Sequence, residues 1–227
     1  MLSERFPPPL PEVTTWVEPQ KAVYLKNNDT FLVDLDAPYG NSGCVIMASG
    51  LGKRFGGNKL MADFHGEPMI CRVLSATEGI FSKRVVVTRH EEIALLCRER
   101  GVDVVLHDLP YRSDTIRLGL EAVGRVDCCM FCPSDQPLLR QVTVAALALA
   151  AQNDSSAIWR TAFEGTHGAP VLFPHWTFPE LLALPLGKGG GYVIKKYPGH
   201  LRTVNVQDKY ELMDVDVRAD MELLMRG

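Results

Sequence analysis

The segment GCVIMASGLGKRFGGNKL, residues 43–60, places an apolar run directly before a loop rich in glycine and basic residues. The apolar run lacks strict polar alternation, which is typical of a strand in a parallel sheet covered on both faces. Glycines let backbone amides approach a phosphate, and Lys53, Arg54 and Lys59 add positive charge. The segment therefore predicts the first strand of an α/β sheet followed by a loop that holds polyphosphate.

Two common phosphate-binding templates do not fit this loop. The pattern G-x-G-x-x-G requires glycine where Phe55 stands, and the Walker pattern requires Ser or Thr after Gly52-Lys53, where Arg54 stands. The loop therefore supports neither a dinucleotide fingerprint nor a P-loop ATPase. A glycine-rich surface turn with solvated basic residues is the alternative interpretation.

From this segment onward, strand-like runs alternate with amphipathic stretches. Up to residue 132 the strand-like runs are 43–48, 84–88, 102–107 and 126–132, and the helical stretches are 68–81, 91–100 and 115–123. Beyond residue 150 the strand-like runs are 157–163, 169–173 and 201–206, and the helical stretches are 178–184 and 218–225. This pattern predicts an α/β fold, a three-layer sandwich with a mostly parallel mixed sheet and an antiparallel excursion near its end. Ligands of such sheets bind beyond the carboxyl ends of the strands, which directs attention to the loops after Ala48 and Cys132.

Residues 1–40 differ in composition and sequence pattern from the rest of the chain. Four prolines stand between positions 7 and 11, and the runs KAVYLK and TFLVDLD flank turn-forming residues at 27–29. These runs predict a hairpin. We divide the chain into an N-terminal arm or small appendage of unassigned function, residues 1–40, and one α/β domain, residues 41–227.

Composition narrows the class of protein. The chain has 227 residues with 24 Lys+Arg against 27 Asp+Glu, a formal net charge of −3, which excludes a strongly basic nucleic-acid binder. Hydrophobic residues make up 46% and charged residues 22%, as in ordinary globular proteins. No stretch approaches the roughly 20 apolar residues of a membrane span, and no signal-peptide core is evident. We expect a cytoplasmic protein with reduced thiols, without a membrane or nucleic-acid partner.

The cysteines and histidines carry little signal for a metal site. Cys129-Met130-Phe131-Cys132 has C-x-x-C spacing, but positions three apart on a strand point to opposite faces, so the two sulfurs cannot share one ion without a bulge. The cysteines are expected to be buried core residues. Among six histidines, His167 in a glycine-rich loop is the one candidate for substrate contact, and a solvated loop histidine is the alternative.

Two acidic segments complete a candidate site. Asp135 follows the fourth core strand, where a carboxylate can hold magnesium that bridges phosphate oxygens. Asp216, within 212–220, is a second candidate ligand. Both residues precede helical stretches, so each has helix capping as its alternative role. With the basic glycine loop, the two carboxylates would complete a site for a nucleoside triphosphate.

These residues resemble the molybdenum cofactor nucleotidyltransferases, the MobA-like NTP transferases, and especially their cytidylyltransferase branch. The resemblance covers about residues 43–224. The family's opening A-A-G-x-x-x-R-x-G-x-x-K-L is similar to residues 48–60, its metal loop to residues 134–139, and its late D-x-D-T-P-x-D-L to residues 214–220. The resemblance implies a three-layer Rossmann-like nucleotidyltransferase fold of the GT-A type.

The resemblance also implies roles for individual residues. Arg54, Lys59 and Asp135 would be the catalytic residues, and Asp135 and Asp216 would hold Mg²⁺ as the cofactor. Ser113, Asp114 and Thr115 are similar to the family's small-residue segment near the nucleobase, and the opening at 48–50 favours CTP over GTP. The implied nucleotide-binding set is Ala48, Ser49, Gly50, Leu51, Gly52, Lys53, Arg54, Lys59, Ser113 and Asp114.

The expected function is a magnesium-dependent enzyme that transfers CMP from CTP to molybdopterin and releases pyrophosphate, with a molybdoenzyme as a possible recipient of the product. The acceptor side departs from the family pattern. The family's G-H-P reads Gly168-Ala169-Pro170, and its G-D-x-G reads Gly187-Lys188-Gly189-Gly190. The alternatives are cytidylyl transfer to another small phosphate or sugar phosphate, and a pterin carrier without turnover.

Overall fold

The computed structural model describes residues 21–26, 29–34 and 38–226, with side chains from residue 38 onward. The strands are β1 (Lys21–Lys26), β2 (Asp29–Asp34), β3 (Ser42–Ala48), β4 (Asp63–Phe64), β5 (Glu67–Pro68), β6 (Lys83–Thr88), β7 (Asp103–Leu106), β8 (Cys128–Pro133), β9 (Ile158–Phe163), β10 (Thr166–Pro174) and β11 (Leu201–Asn205). The α-helices are α1 (Ile70–Ala76), α2 (Glu91–Glu99), α3 (Arg112–Val123), α4 (Gln141–Asn153), α5 (Phe178–Leu182), α6 (Gly191–Lys196) and α7 (Arg218–Leu224).

Seven strands form the central sheet in the order β11-β9-β10-β8-β3-β6-β7. β3 lies between β6 and β8 and pairs with both in parallel, so the strand predicted from the opening segment occupies the middle of the sheet. β10 pairs antiparallel with both β8 and β9, whereas β9 and β11 are parallel. The prediction of a mostly parallel mixed sheet with a late antiparallel excursion is confirmed.

Two apolar cores lie on opposite faces of this sheet, which gives the three predicted layers. One core joins side chains of α1, α2 and α4 to the sheet, and the other joins α3, α5 and α6 to it. α3 approaches β3 closely, because a Cβ on Gly119 would lie only 2.4 Å from Val45 Cγ1. This close contact brings the N-terminal end of α3 to the carboxyl edge of the sheet.

The cysteines are core residues, as predicted. Cys129 belongs to one core and Cys132 to the other, so their side chains leave β8 on opposite faces. Burial raises the pKa of Cys44 to about 12 and those of Cys97 and Cys128 to about 11. Such thiols are poor nucleophiles at neutral pH.

The predicted hairpin near the N-terminus is confirmed for the residues described there. β1 and β2 pair antiparallel, with Lys21 opposite Asp34 and Lys26 opposite Asp29. The prolines between positions 7 and 11 lie outside the described residues, and the boundary near residue 40 stays a prediction. No helix in the described part of the chain is long and apolar enough to cross a membrane.

Two details differ from the predicted pattern. α1 ends at Ala76, earlier than the apolar periodicity predicts, and the Thr77 hydroxyl donates back to the carbonyl of Val73. α6 was not predicted, because two glycines precede it, at 189 and 190, and a third, Gly191, begins it, and glycines argue against a helix. Its buried Val193 packs into the core beside α3 and α5, which offsets the poor local propensity.

Candidate active site

A cleft of about 660 Å³ opens at the carboxyl edge of the sheet, where the sequence places the ligand. Within the predicted site set, Ala48 is buried at the end of β3, while Ser113 and Asp114 lie outside the lining. The other predicted residues line the cleft together: Ser49, Gly50, Leu51, Gly52, Lys53, Arg54, Lys59, Asp135 and Asp216. The fold thus brings the glycine loop and the two acidic segments to one place.

The glycine loop has a tight turn at its centre. Gly52 has a φ of +60°, and a Cβ there would lie 2.1 Å from the carbonyl oxygen of Gly57. The amides of Phe55 and Gly56 donate to the Gly52 carbonyl at 3.0 and 3.2 Å. Phe55 is buried. The guanidinium carbon of Arg218 lies over the Phe55 ring, 5.0 Å from the ring centroid. Phe55, which breaks the dinucleotide pattern, therefore anchors this loop to the domain.

Lys59 links the two acidic segments. Its Nζ lies 2.6 Å from Asp135 Oδ2, 2.6 Å from the carbonyl oxygen of Val215 and 3.5 Å from Asp216 Oδ1. Only 11% of the Lys59 side chain is exposed. Arg54 is 71% exposed and contacts Asp216 Oδ2 at 2.9 Å. One cation is therefore buried between both carboxylates, and the other lies on the open side of the cleft.

Backbone and side-chain bonds hold the late acidic segment against Asp135. The amide of Val215 donates to the Asp135 carbonyl at 2.9 Å. Gln136 Nε2 donates to the Leu212 carbonyl at 3.1 Å and to Asp214 Oδ1 at 2.9 Å. Segments separated by about 80 positions in sequence are thus joined at the site. Gln136 was not singled out from the sequence, because its partners become neighbours only in the fold.

The capping alternative for Asp216 does not hold. The carboxylate of Asp220 accepts from the amides of Asp216 and Val217 at 2.8 and 2.9 Å, at the start of α7. These bonds lower the pKa of Asp220 against the opposing effect of desolvation, and the charges of Arg54 and Lys59 lower it further. The side chain of Asp216 is left to face Lys59 and Arg54.

Asp135 does not cap a helix either. The start of α4 is instead covered by Glu211, whose Oε2 accepts from the Arg140 amide at 3.4 Å and from the Thr143 hydroxyl. Glu211 is 2% exposed, and this burial raises its pKa although Thr143 and Arg140 act in the opposite direction. Sequence reasoning missed Glu211, since no local pattern connects it with a helix about 70 positions earlier.

Asp214 adds a third carboxylate to the cleft. Desolvation raises its pKa first, and the negative charges of Asp135 and Asp216 raise it further, while Gln136 and Lys59 act against the shift. Three carboxylates thus crowd around two cations, an arrangement that favours a further positive charge. The described residues contain no group of three or more His, Cys, Asp or Glu side chains arranged to hold a metal ion.

The opposite edge of the glycine loop rests on His107, another residue missed in the sequence. The Leu109 amide donates to His107 Nδ1 at 3.1 Å, so Nε2 carries the proton and donates to Ser49 Oγ at 2.7 Å. Ser49 in turn donates to the Val87 carbonyl at 3.1 Å. Burial, and then the charge of Arg89, lowers the pKa of His107 and favours this neutral form.

The side chains of Ser113 and Asp114 accept hydrogen bonds from backbone amides. Ser113 Oγ accepts from the Gly187 amide at 3.2 Å, and Asp114 Oδ2 accepts from the Tyr111 amide at 3.1 Å. Their direct contact with a nucleotide stays a prediction. Thr115, on the same turn of α3, does line the cleft.

The far end of the cleft, near β10, has a different lining. Ala169 and Gly190 line it, whereas His167 is exposed, pairs with Ala162 on β9 and lies outside the lining. Lys188 is also exposed outside the lining. The floor is apolar and consists of Met47, Ile116, Phe131, Val171 and Phe173.

Comparison with known proteins agrees with the fold and with the family resemblance. A family model described as "MobA-like NTP transferase domain" matches residues 44–202. A 3-deoxy-manno-octulosonate cytidylyltransferase from Alkalilimnicola ehrlichii is 37% identical over 118 residues, which cover 49% of this chain and 45% of the relative. The chain thus spans a little under half the length of this curated relative.

Solved structures show the same architecture. The crystal structure of Rv0371c from Mycobacterium tuberculosis H37Rv has a TM-score of 0.71 at 20% identity, over 83% of this chain and 100% of that one. A CMP:2-keto-3-deoxy-manno-octonic acid synthetase, solved in complex with CTP, has a TM-score of 0.68 at 15% identity, over 82% of this chain and 98% of that one. At these identities the likeness concerns the fold alone, and it agrees with the predicted Rossmann-like architecture.

Proposed function

Because the chain belongs to the MobA-like NTP transferase family, we propose that it is a nucleotidyltransferase that transfers CMP from CTP to an acceptor of the molybdopterin type. The observation that carries this proposal is the position of Lys59. Its ammonium lies between Asp135 and Asp216 at the mouth of the glycine loop. This arrangement suits a triphosphate whose charge must be neutralised while one phosphate bond breaks.

The reaction needs little covalent chemistry from the protein. An oxygen of the acceptor attacks the α-phosphorus, the bond from that phosphorus to the bridging oxygen breaks, and pyrophosphate leaves with the bond electrons. Arg54 is mostly exposed, so it can turn from Asp216 toward the phosphates. Lys59 stays buried and keeps the acidic segments and the loop in register. Positioning and charge neutralisation would supply most of the rate.

The donor chemistry of Asp135 and Asp216 fits Mg²⁺, which prefers carboxylate oxygens and retains several waters. Both side chains contact the same Lys59 nitrogen, so they lie on one side of the cleft. Burial, and then the negative charges of Asp135 and Asp216, raise the pKa of Asp214 beside them, and a divalent cation would offset the repulsion between these charges. When bound, magnesium would neutralise phosphate charge and withdraw electron density from the α-phosphorus.

Two observations support the preference for CTP. The opening at residues 48–50 is similar to that of the cytidylyltransferase branch. The curated relative is named as a cytidylyltransferase, and one structural neighbour was solved with CTP. Neither observation identifies the acceptor.

A second acceptor class follows from the same relatives. The curated relative is named for a sugar acid, 3-deoxy-manno-octulosonate. The acceptor end here also departs from the molybdenum cofactor pattern at Gly168-Ala169-Pro170 and at Lys188. A pterin carrier without turnover is the weaker alternative, because a carrier has no use for Lys59 and its two aspartate partners.

Pyrophosphate release tests the proposal directly. The full chain is assayed with magnesium and CTP, GTP, ATP or UTP, each with molybdopterin, with 3-deoxy-manno-octulosonate or without acceptor. Release with CTP and molybdopterin that is lost in Lys59→Ala would support the proposal, and release with the sugar acid instead would favour the second acceptor. Lys209→Ala is the matched control, because Lys209 contacts Tyr210 outside the cleft. Complete absence of release, together with nucleotide-independent pterin binding, would favour a carrier.

A further inference from the structure

Negative charge is confined to one end of the cleft. Asp135, Asp214 and Asp216 are the carboxylates among its described lining residues, and all three adjoin Lys59 and the glycine loop. The remaining charged side chains of the lining, beyond that loop, are Arg89 and Arg112. The end of the cleft formed by α3, β10 and the segment before α6, the distal end, therefore has positive charge without carboxylates in its lining.

Arg112 at this distal end has no charged partner in the described part of the chain, and no hydrogen bond of its guanidinium is found there either. The next arginine of the same helix behaves differently, since Arg117 lies 3.9 Å from Asp114 and 3.4 Å from Glu121. Arg112 is exposed, and its stem lies along the backbone at residue 189. A Cβ on Gly189 would lie 3.0 Å from Arg112 Cδ, so the backbone at 189 packs closely along the stem.

Gly190 and Gly191 differ in whether their surroundings require a glycine. A Cβ on Gly190 would lie 2.6 Å from Phe173 Cζ, so packing against the floor explains that glycine. Gly191 also lines the cleft, but its Cβ position has no atom within 4 Å and its φ is not in the positive region. Neither packing nor backbone conformation therefore requires glycine at 191. Its missing side chain leaves space in the cleft.

Arg160 extends the positive charge beneath the distal end. It lies on β9 directly opposite Val171 of β10, and opposed residues of antiparallel strands point to the same face. Its Nε and Nη2 both donate to one acceptor, the Gly168 carbonyl, at 3.0 and 2.6 Å. No carboxylate among the described residues pairs with it, and partial burial lowers its pKa. A half-buried guanidinium without a counterion is costly unless a ligand supplies the anion.

We infer that the acceptor carries, besides the oxygen that attacks the α-phosphorus, a second and negatively charged group, a carboxylate or a phosphate, and that Arg112 binds this second group at the distal end of the cleft. This inference rests on the proposed function and specifies the acceptor class of the same site. A guanidinium binds either anion through paired N–H donors, and Arg160 and the exposed Lys188 add positive potential nearby. The three aspartates at the opposite end repel this second group, so the charges orient the acceptor with the second group at the distal end and the attacking oxygen toward the triphosphate. The apolar floor accommodates the body of the molecule between the two ends.

Calorimetric titration of the full chain with charged and uncharged pairs tests this site. Gluconate against glucitol differs by a carboxylate, and glycerol 3-phosphate against glycerol differs by a phosphate, so the two pairs distinguish the two anions. We expect at least one anion to bind at least about tenfold more tightly than its neutral partner, and Arg112→Gln to remove that difference. Arg117→Gln, on the same helix but outside the cleft, is the matched control and should bind as the wild type does.

The outcomes separate this inference from the proposed function. Anion binding that survives in Lys59→Ala but is lost in Arg112→Gln would locate it at the distal end, and it would stand even if no pyrophosphate were released from CTP. Loss in Lys59→Ala alone would place the anion in the triphosphate region and overturn the inference. Equal binding of charged and neutral probes, no binding of either anion, or unchanged binding in Arg112→Gln would overturn it as well, while CTP-dependent release would leave the proposed function intact.

Discussion

The two ends of the cleft differ in how their charges are matched within the protein. At the end of the cleft that holds Asp135, Asp214 and Asp216, the aspartate end, Lys59 and Arg54 contact Asp135 and Asp216 directly. At the distal end, Arg112 and Arg160 have no carboxylate partner among the described residues. The charges of the aspartate end are thus paired within the protein, whereas no carboxylate among the described residues pairs with the arginines of the distal end.

The two ends therefore bear on different parts of the proposed function, the class of reaction and the identity of the acceptor. The matched end is built from the motifs shared with the family, so it identifies the class of reaction. The unmatched end coincides with the departures at residues 168–170 and 187–190. The identity of the acceptor must therefore be determined there.

The largest effect is expected at the aspartate end, from Asp135→Asn. The substitution keeps the shape of the side chain but removes the charge that contacts Lys59 and would bind magnesium. We expect kcat to fall at least about 100-fold, with the far-ultraviolet circular dichroism spectrum unchanged. Pyrophosphate release measures the effect. Normal turnover in this variant would contradict the metal role of Asp135.

The glycine loop offers a matched pair with the next largest effect. Gly52→Ala places a side chain at a φ of +60° and 2.1 Å from the Gly57 carbonyl oxygen, so we expect a loss of about 1–3 kcal/mol in loop stability and weaker CTP binding. Gly57→Ala meets no atom within 4 Å and serves as the control. CTP titration with magnesium compares the two variants. Equal affinities would show that the observed turn is not the conformation that binds the nucleotide.

The distal end is probed by a second pair of glycines. Gly191→Ala should leave the unfolding free energy nearly unchanged but raise the KM for the acceptor severalfold, because the new methyl group enters open space in the cleft. Gly190→Ala should instead cost about 1–3 kcal/mol of stability, since its Cβ would overlap Phe173. Steady-state kinetics and thermal unfolding separate the two effects. A raised KM for CTP in Gly191→Ala, with the acceptor KM unchanged, would mean that the two ends are assigned the wrong way round.

The smallest effect concerns the pH dependence of the unfolding free energy that arises from Glu211, which lies buried at the start of α4. Burial raises the folded pKa of Glu211, so the unfolded chain loses this proton first, and the associated stability falls as pH rises above about 4.3. In Glu211→Gln this contribution disappears, while an amide oxygen still accepts from Thr143. Urea unfolding at pH 4 and pH 7 should therefore show the variant gaining relative to wild type at the higher pH. A relative loss would indicate that the charged carboxylate stabilises α4.

The glycine-loop and acidic motifs could be predicted because their information is local. Lys53, Arg54 and Lys59 follow one apolar run within a few positions, and Asp135 follows another. Loops that follow parallel strands lie at one edge of the sheet, so the parallel direction of these strands predicted that the loops share a cleft. The supporting residues Gln136, His107 and Glu211 could not be found this way. Their partners lie tens of positions away, and each hydrogen bond exists only after the segments meet.

The sequence by itself determined the alternation of strands and helices, the mixed sheet, and the loop and carboxylates of the aspartate end. Periodicity and glycine chemistry act over a few residues, so they can be recognised without the fold. Only the tertiary structure decided that Asp220 caps α7 while Asp216 faces Lys59, and that Glu211 covers the start of α4. It also decided that Arg112 and Arg160 lack carboxylate partners in the described chain, because the pairing of charges depends on distances that no local pattern encodes.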